Sequence, residues 1–390
     1  MRVLFVTTAY QRFKGDVITP WLTELILRLR DQKIDVEVFT SSYKGLRDQI
    51  LDRVKVHRFR YFFKNLEKLT HEETVVDRVS RNPLNLLLVF FYMIAGTWAI
   101  VQLVKREKYD IVHVHWPFPH IIFGVFARIA GKTRLFSTFY GREIRWFTKK
   151  FKWLTKCLSI LLNKSDMITA ISTHTRTELR SYIKSEIEVI PFSAAVPERV
   201  SNISDENEIL FVGRLVERKG IKYLIQAMAE LRNEIPHKLV IIGDGAERPE
   251  LENLVDRLDL RSRVYFTGWI SADEKLRHYE KCGFFVLPAV YDKQGDIEGL
   301  GVVLIEAMSC YKPVIASKAG GITDVVEDGV NGILVPPGDV PALTKAIRRL
   351  AIDKKLRKEM GKRAKKSIDE RFNWNKIVNK LISLYVTKEK

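Results

Sequence analysis

The sequence predicts an α/β protein built from two doubly wound parallel-sheet domains. Three observations carry this prediction. Short apolar runs such as Arg2–Val6, Ile111–His115 and Lys238–Ile242 recur along the 390 residues. Segments of helical periodicity separate them, the pattern of strands joined by crossover helices and buried on both faces. A polar stretch, 191–207, divides an N-terminal domain (1–190) from a second domain (208–365), each large enough for its own core. The closing segment, 366–390, is read separately.

In the first half, Arg2–Thr7 reads as a strand, Ile18–Arg30 as an amphipathic helix and Ile34–Thr40 as a second strand. Ile111–His115 and Thr133–Thr138 follow as strands around the helix Ile121–Ala130, and Met167–Ala170 and Ile187–Ile190 close the series. In the second half, Ile209–Val212 is a strand, then come a turn, the helix Ile221–Leu231, the strand Lys238–Ile242 and the turn Gly243–Ala246. The apolar run Phe284–Pro288 leads through a glycine-rich loop into the helical pattern Val302–Met308. The tail Phe372–Tyr385 reads as one amphipathic helix. Sites in such folds lie at the C-terminal ends of the strands.

Composition bounds the function classes. A hydrophobic fraction of 46% fits a globular chain, and Met1–Val6 is too short for a signal-peptide core. Cys157, Cys282 and Cys310 match no zinc or redox spacing and read as buried or half-buried thiols in a reducing cytoplasm. The net charge of +18 is uneven: residues 1–190 hold 32 Lys/Arg against 18 Asp/Glu, a net of +14. An anionic partner for that half follows, with nucleic acid, membrane and phosphorylated lipid all open.

The densest chemistry is Glu298-Gly-Leu-Gly-Val-Val-Leu-Ile-Glu306. A helix N-terminus here presents unpaired N–H groups able to hold phosphate, and Gly299 and Gly301 let backbone approach an anion. Eight helical residues would rise about 12 Å, spacing the two carboxylates across a bound diphosphate. A capped core helix with two solvated acids explains the same residues. Upstream, Gly213-Arg-Leu-Val-Glu-Arg-Lys-Gly220 sets Arg214 and Lys219 in a glycine-bounded turn, able to neutralise a diphosphate. Downstream, Pro313–Gly321 precedes Gly329–Pro337.

Taken together, residues 205–350 closely resemble the second domain of the GT-B retaining glycosyltransferases of family 4, also called group 1. The resemblance implies a hexosyltransferase that uses a UDP- or GDP-linked sugar as substrate, with no cofactor and no metal. It assigns Arg214 and Lys219 to the leaving diphosphate, whose growing negative charge is the main catalytic problem. It gives Glu306 the ribose hydroxyls and Glu298 the donor sugar. Gly213, Gly243 and the backbone of Gly299, Leu300, Gly301 and Val302 join the donor site, with Trp269 and Ile270 near the base. It also implies that the two Rossmann-like domains face a cleft and that the final helix crosses back onto the first domain.

The first domain matches that family less fully. Its phosphate-facing loop commonly carries paired glycines, whereas here only Gly15 is present. His115, in His113-Val-His-Trp-Pro-Phe-Pro119, corresponds to a strand-end histidine facing the donor sugar. Where relatives often read Thr-x-His-Gly, this chain has Tyr140, which suits hydrogen bonding to substrate better than proton abstraction.

Two segments address the acceptor side. Over Arg142–Leu162, helical spacing puts Arg142, Lys149 and Lys152 on one face with Trp146 and Trp153 among the bases, as at a membrane interface. Lys55–Lys64 also interleaves bases with aromatics, a pattern shared with single-strand nucleic-acid binding. Pro83–Val104 runs 22 residues without a charge. It is long enough to span a bilayer, but it contains Asn85, Gly96, Thr97 and Gln102 and leads straight into a sheet strand. A buried helix is therefore expected there before a membrane-dipping element, and a span last.

The resulting expectation is a retaining glycosyltransferase in glycan or glycolipid synthesis, peripheral on the cytoplasmic membrane face, with a lipid-linked or glycan acceptor and no nucleic-acid partner. A nucleotide-sugar 2-epimerase on the same architecture and a basic nucleic-acid-binding protein are the alternatives. The donor-site motifs argue against both.

Overall fold

A computed structural model describes residues 1–16, 18–71, 75, 78–79, 82–141, 143, 157, 159–194, 196 and 204–387. Two compact units emerge, one of Met1–Ile190 with Ile377–Lys390, the other of Pro191–Lys376.

The first unit is built on an eight-stranded sheet in the order β3-β4-β2-β1-β5-β6-β7-β8. Its strands are β1 (Arg2–Val6), β2 (Asp35–Ser41), β3 (Gln49–Leu51), β4 (Val54–Phe59), β5 (Ile111–His115), β6 (Arg134–Phe139), β7 (Met167–Ala170) and β8 (Ile187–Val189). All neighbours are parallel except β3 on β4. The described helices are α1 (Pro20–Asp31), α2 (Asn85–Arg106), α3 (Pro117–Gly131) and α4 (Thr173–Leu179). Central β1 and β5 are buried almost throughout, which explains the apolar run Val3–Val6 and places His113 and His115 of β5 in the interior. The order reverses between β1 and β5, so the loops after them flank a switch point.

Two readings change here. The base-and-aromatic segment begins with β4, where buried Val54 and Val56 alternate with Lys55 and His57, and Arg58 and Phe59 are buried. Over Val54–His57 the interleaving is the period-2 alternation of a strand, and Arg60–Lys64 lie beyond that strand. The uncharged run forms α2, buried on one side only, so a fully buried helix does not describe it.

The second unit carries a six-stranded parallel sheet, β11-β10-β9-β12-β13-β14. The strands are β9 (Glu208–Val212), β10 (Lys238–Ile242), β11 (Val264–Gly268), β12 (Phe284–Leu287), β13 (Val314–Ser317) and β14 (Gly332–Val335). Between and after them run α5 (Ile221–Glu230), α6 (Arg248–Arg257), α7 (Ala272–Lys281), α8 (Val302–Ser309), α9 (Ile322–Val325), α10 (Val340–Ile352) and α11 (Lys354–Arg371). Helix α5 buries Ile221, Leu224, Ile225 and Met228, one apolar stripe at helical spacing. A capping box between Ser271 and Glu274 starts α7, and Asp339 caps α10 through Ala342 N at 2.9 Å. This sheet reverses between β9 and β12.

The last helix, α12 (Trp374–Val386), starts where Trp374 Nε1 donates to Ala194 O at 2.8 Å. From Ile377 it belongs to the first unit, where Tyr385 OH lies 2.6 Å from His113 Nδ1 and Arg134 donates to carbonyls of the helix end. Cys282 and Cys310 are buried free thiols, whereas Cys157 is exposed rather than half-buried.

Candidate active site

Four loops meet at the C-terminal edge of the second sheet, around its switch point. After β9, the chain turns through Gly213 to a short 3-10 turn, Glu217–Lys219. The loop after β10 locks onto it, because Leu215 N donates to Asp244 O at 3.0 Å and a Cβ on Gly243 would lie 2.0 Å from Gly213 O. The loop after β12 joins through Val290 N, which donates to Arg218 O at 2.9 Å. The loop after β13 closes the set, since Gly321 N donates to Glu298 O at 3.0 Å and a Cβ there would lie 1.9 Å from Gly299 O. Glycines at these positions are a steric requirement of backbone packed on backbone.

Gly220 makes the same point as a measurement. Its φ is +66°, and a Cβ would sit 1.9 Å from Pro288 O. Gly15, with φ +84°, has open space around a Cβ. Gly220→Ala should therefore cost about 2 kcal/mol or more in urea unfolding, and Gly15→Ala only about 1 kcal/mol of backbone strain. Equal losses would show that the contact between Gly220 and Pro288 does not hold the site loops together.

Within this cradle the charged side chains are paired. Lys219 Nζ donates to Glu298 Oε2 at 2.5 Å, and Arg218 Nη1 donates to the same oxygen at 2.9 Å. Asp296 lies 3.6 Å from Arg218 Nε. Burial raises the Glu298 carboxyl pKa, but Lys219 and Arg218 outweigh it and hold the carboxyl down at about 2. Burial lowers the Lys219 pKa and Glu298 opposes that shift. The group is thus an anion clamped by two cations at the floor of the loop cluster. Arg214, on the same turn, is exposed.

Helix α8 starts only at Val302, so Glu298 sits in the preceding loop and eight helical residues do not separate the glutamates. The loop approaches with Gly301 in a left-handed conformation, φ +85°. Glu306, on the second turn of α8, is buried and accepts from Lys275 Nζ at 3.0 Å and from Tyr279 OH at 2.8 Å. Gly299, Leu300 and Val302 lie between the two acids, with Leu300 buried. Trp269 follows β11 at the same edge of the sheet and is 63% exposed, with Ile270 half-buried beside it in sequence.

The sequence reading gave no role to Arg218, Lys275 or Tyr279. Arg218 stands beside Lys219 in the same turn, so its charge was a usable signal. Lys275 and Tyr279 share a face of α7 at i,i+4 spacing, and only the fold brings that face to Glu306.

In the first unit, His115 ends β5, with Nδ1 2.9 Å from Tyr140 OH and Nε2 buried without a hydrogen-bond partner. Burial, reinforced by His113, drives the His115 pKa far below the ordinary histidine value, so the ring is neutral at pH 7. Tyr140 also stacks on Trp116 at 4.0 Å between ring centres. Gly15 lies in the loop after β1, across the switch point from His115 in strand order. Arg142, Trp146, Lys149, Lys152 and Trp153 lie outside the described residues. Among the described residues, no group of three or more His, Cys, Asp or Glu side chains is placed to hold a metal ion.

The chain is similar to known proteins in sequence and in fold. Residues 196–367 match the family model for glycosyl transferases group 1, and residues 20–192 match glycosyltransferase family 4. The chain is 30% identical over 301 residues to the GDP-mannose-dependent alpha-(1-6)-phosphatidylinositol monomannoside mannosyltransferase of Mycolicibacterium smegmatis, covering 73% of this chain and 77% of that protein. Sucrose-phosphate synthase from Thermosynechococcus elongatus has the same fold with a TM-score of 0.75, 21% identity and 98% of each chain covered. HepE of Anabaena, solved in complex with UDP, gives a TM-score of 0.72 at 21% identity over 98% of this chain and 99% of its own.

Two parallel-sheet α/β domains of the GT-B architecture therefore define the class of protein. The chain belongs to glycosyltransferase family 4, group 1, and is a transferase enzyme.

Proposed function

We propose that this glycosyltransferase moves a sugar from a UDP- or GDP-linked donor to a lipid-linked acceptor at the cytoplasmic membrane face, with retention at the anomeric carbon. In this reading the second unit takes the donor and the first unit the acceptor. The observation that carries it is the clustering of Lys219, Arg218 and Glu298 at the second sheet's switch point, with Arg214 on the same turn. As the bond from anomeric carbon to phosphate oxygen breaks, negative charge collects on the leaving diphosphate. Preorganised cations offset that charge without reorganising at the moment of reaction. Glu306 accepts from ribose hydroxyls, exchanging part of its present bonding to Lys275 and Tyr279. With neutral Tyr140 donating to Nδ1, His115 carries its proton on Nε2, ready for a substrate hydroxyl. Trp269 offers an exposed ring for the base.

Support for the donor comes from the mycobacterial relative, named for GDP-mannose, and from the UDP complex of HepE. The relative is named for phosphatidylinositol monomannoside, and that name, together with the net +14 of residues 1–190, supports a lipid-linked acceptor and peripheral contact with anionic membrane.

A thermal-shift screen of nucleotide sugars identifies the donor, because ligand bound to the native state raises stability by mass action. Proton NMR of the fresh product then reads anomeric configuration, and inversion would overturn the retaining assignment. Glu306→Gln should weaken donor binding about 5- to 20-fold by calorimetric titration, since an amide is a poorer acceptor than a carboxylate. Unchanged affinity would remove Glu306 from the ribose.

A further inference from the structure

The donor chemistry leaves α2 unused. From Asn85 to Val104 this helix has no charged residue, and its mean hydropathy reaches 2.1 over 18 residues. A helix apolar on every side is ordinarily enclosed by protein or lipid. Here protein encloses one side. Tyr92, Gly96, Ile100, Leu103 and Val104 are buried, and a Cβ on Gly96 would lie 2.4 Å from Phe123 Cζ on α3. Tyr92 OH is 2.9 Å from His120 Nε2 in the same interior. These contacts tie α2 into the unit along its length, so it does not cross a bilayer on its own.

The other side presents Leu87, Phe90, Phe91, Ile94 and Trp98 to solvent, with Trp98 67% exposed. Their spacing makes one stripe, about 17 Å long at 1.5 Å per residue. The stripe continues beyond the helix, because Phe91 meets Phe62 at 5.3 Å and Phe62 meets the exposed Phe63 at 5.2 Å. Packed along α2, α3 exposes Phe126 and Ile129 as well. A surface this apolar marks an interaction site.

Its rim selects the partner. Lys64 and Lys68 are exposed in the loop holding Phe63 and Leu66, and Lys105 and Arg106 are exposed at the far end of α2. Among the described residues from Arg60 to Glu107, the acidic side chains are Glu67, which is buried, and half-buried Glu107, which also pairs with Arg2 at 3.3 Å, so the rim keeps its excess of cations. A second copy of the chain would set these cations against identical cations. An anionic bilayer satisfies both features, with acyl chains for the stripe and headgroup phosphates for the rim. We propose that the α2 stripe is a membrane-docking face that lies in the plane of an anionic bilayer. This deepens the lipid-linked-acceptor reading and rests on it for its purpose.

The test uses the full chain in sedimentation with phosphatidylglycerol–phosphatidylcholine vesicles and with phosphatidylcholine alone. Combined Leu87→Glu, Phe90→Glu and Ile94→Glu changes should lower binding to the anionic vesicles about tenfold or more, given the apolar area withdrawn. Lys64→Glu with Lys105→Glu should weaken binding in a way that added salt abolishes. Nucleotide titration should match the parent in every variant, which shows that the fold survives. Should the triple variant not fold, Trp98→Ala at its exposed position still reports, with an expected loss of about threefold or more. Undiminished vesicle binding by the stripe variants overturns the proposal. So does a parent dimer that the stripe variants turn into monomer without affecting vesicle binding, because the occupant is then a second copy. Vesicle binding that holds while no lipid-linked acceptor is glycosylated supports the docking face and removes the acceptor reading alone.

Discussion

Lys219→Ala is expected to cut turnover by roughly 10²-fold or more, the loss typical of one preorganised transition-state stabiliser. The reason is positional. Lys219 is buried at the floor of the loop cluster, with its Nζ held 2.5 Å from Glu298 Oε2. Its charge is fixed before substrate arrives, so it contributes most when the diphosphate gains charge. Donor affinity should fall less than kcat, because the ground-state diphosphate has less charge to neutralise at the breaking bond. The fold should survive, since Arg218 at 2.9 Å still partners Glu298. Comparing kcat, KM and Tm of parent and variant separates these effects. Near-normal kcat would end the assignment of Lys219 to the leaving group. A loss of kcat matched by a collapse of Tm would make the residue structural.

The same geometry shows what was legible in the sequence. Ile111–His115, Lys238–Ile242 and Met167–Ala170 are strands with the bounds their apolar runs suggested, because parallel strands buried on both faces leave little room for polar residues. Strand β4 was not legible as a strand. It lies toward the sheet edge next to β3, and its alternating Lys55 and His57 resembled a binding pattern. The long uncharged run revealed a helix but not which side of it would be covered, since large apolar residues occur on both. That depends on α3, which arrives from later in the chain. At the site, the glycine spacings pointed to the loops around Glu298. The salt bridge from Lys219 to Glu298 spans 79 positions, and no local pattern encodes it. The contacts of Lys275 and Tyr279 with Glu306 span 31 and 27 positions and are equally absent from any local pattern.

Replacing Glu37 should severely destabilise the sheet of the first unit. Glu37 is a buried carboxylate in β2, where inward-facing charge is costly unless fully partnered. It accepts from Tyr109 OH at 2.6 Å and from Arg2 Nη2 at 2.8 Å, and His57 Nε2 lies at 2.8 Å. These partners come from β1, β4 and the loop before β5, so one side chain ties its own strand to three other segments. Burial alone would raise its pKa, but His57, Tyr109 and Arg2 bring it far below the usual carboxylate range. Glu37→Ala takes the acceptor from Tyr109 OH and His57 Nε2 and leaves Arg2 with Asp35, Glu107 and Lys108 O, and the expected loss is about 3–5 kcal/mol in urea unfolding at pH 7. The pH dependence has a definite sign. A carboxylate depressed by folding contributes fully above its unfolded value of 4.5, and that contribution fades as pH falls through 4.5 toward the folded value. Buried His237, whose ring nitrogens have no hydrogen-bond partner, is lowered to about 4 chiefly by burial, so its acid-induced loss begins earlier, below 6.5. Glu37→Gln should therefore keep the decline between pH 6.5 and 5 and flatten the steeper one below pH 4.5. An unchanged slope below pH 4.5 would show that Glu37 is not what ties those strands together in acid.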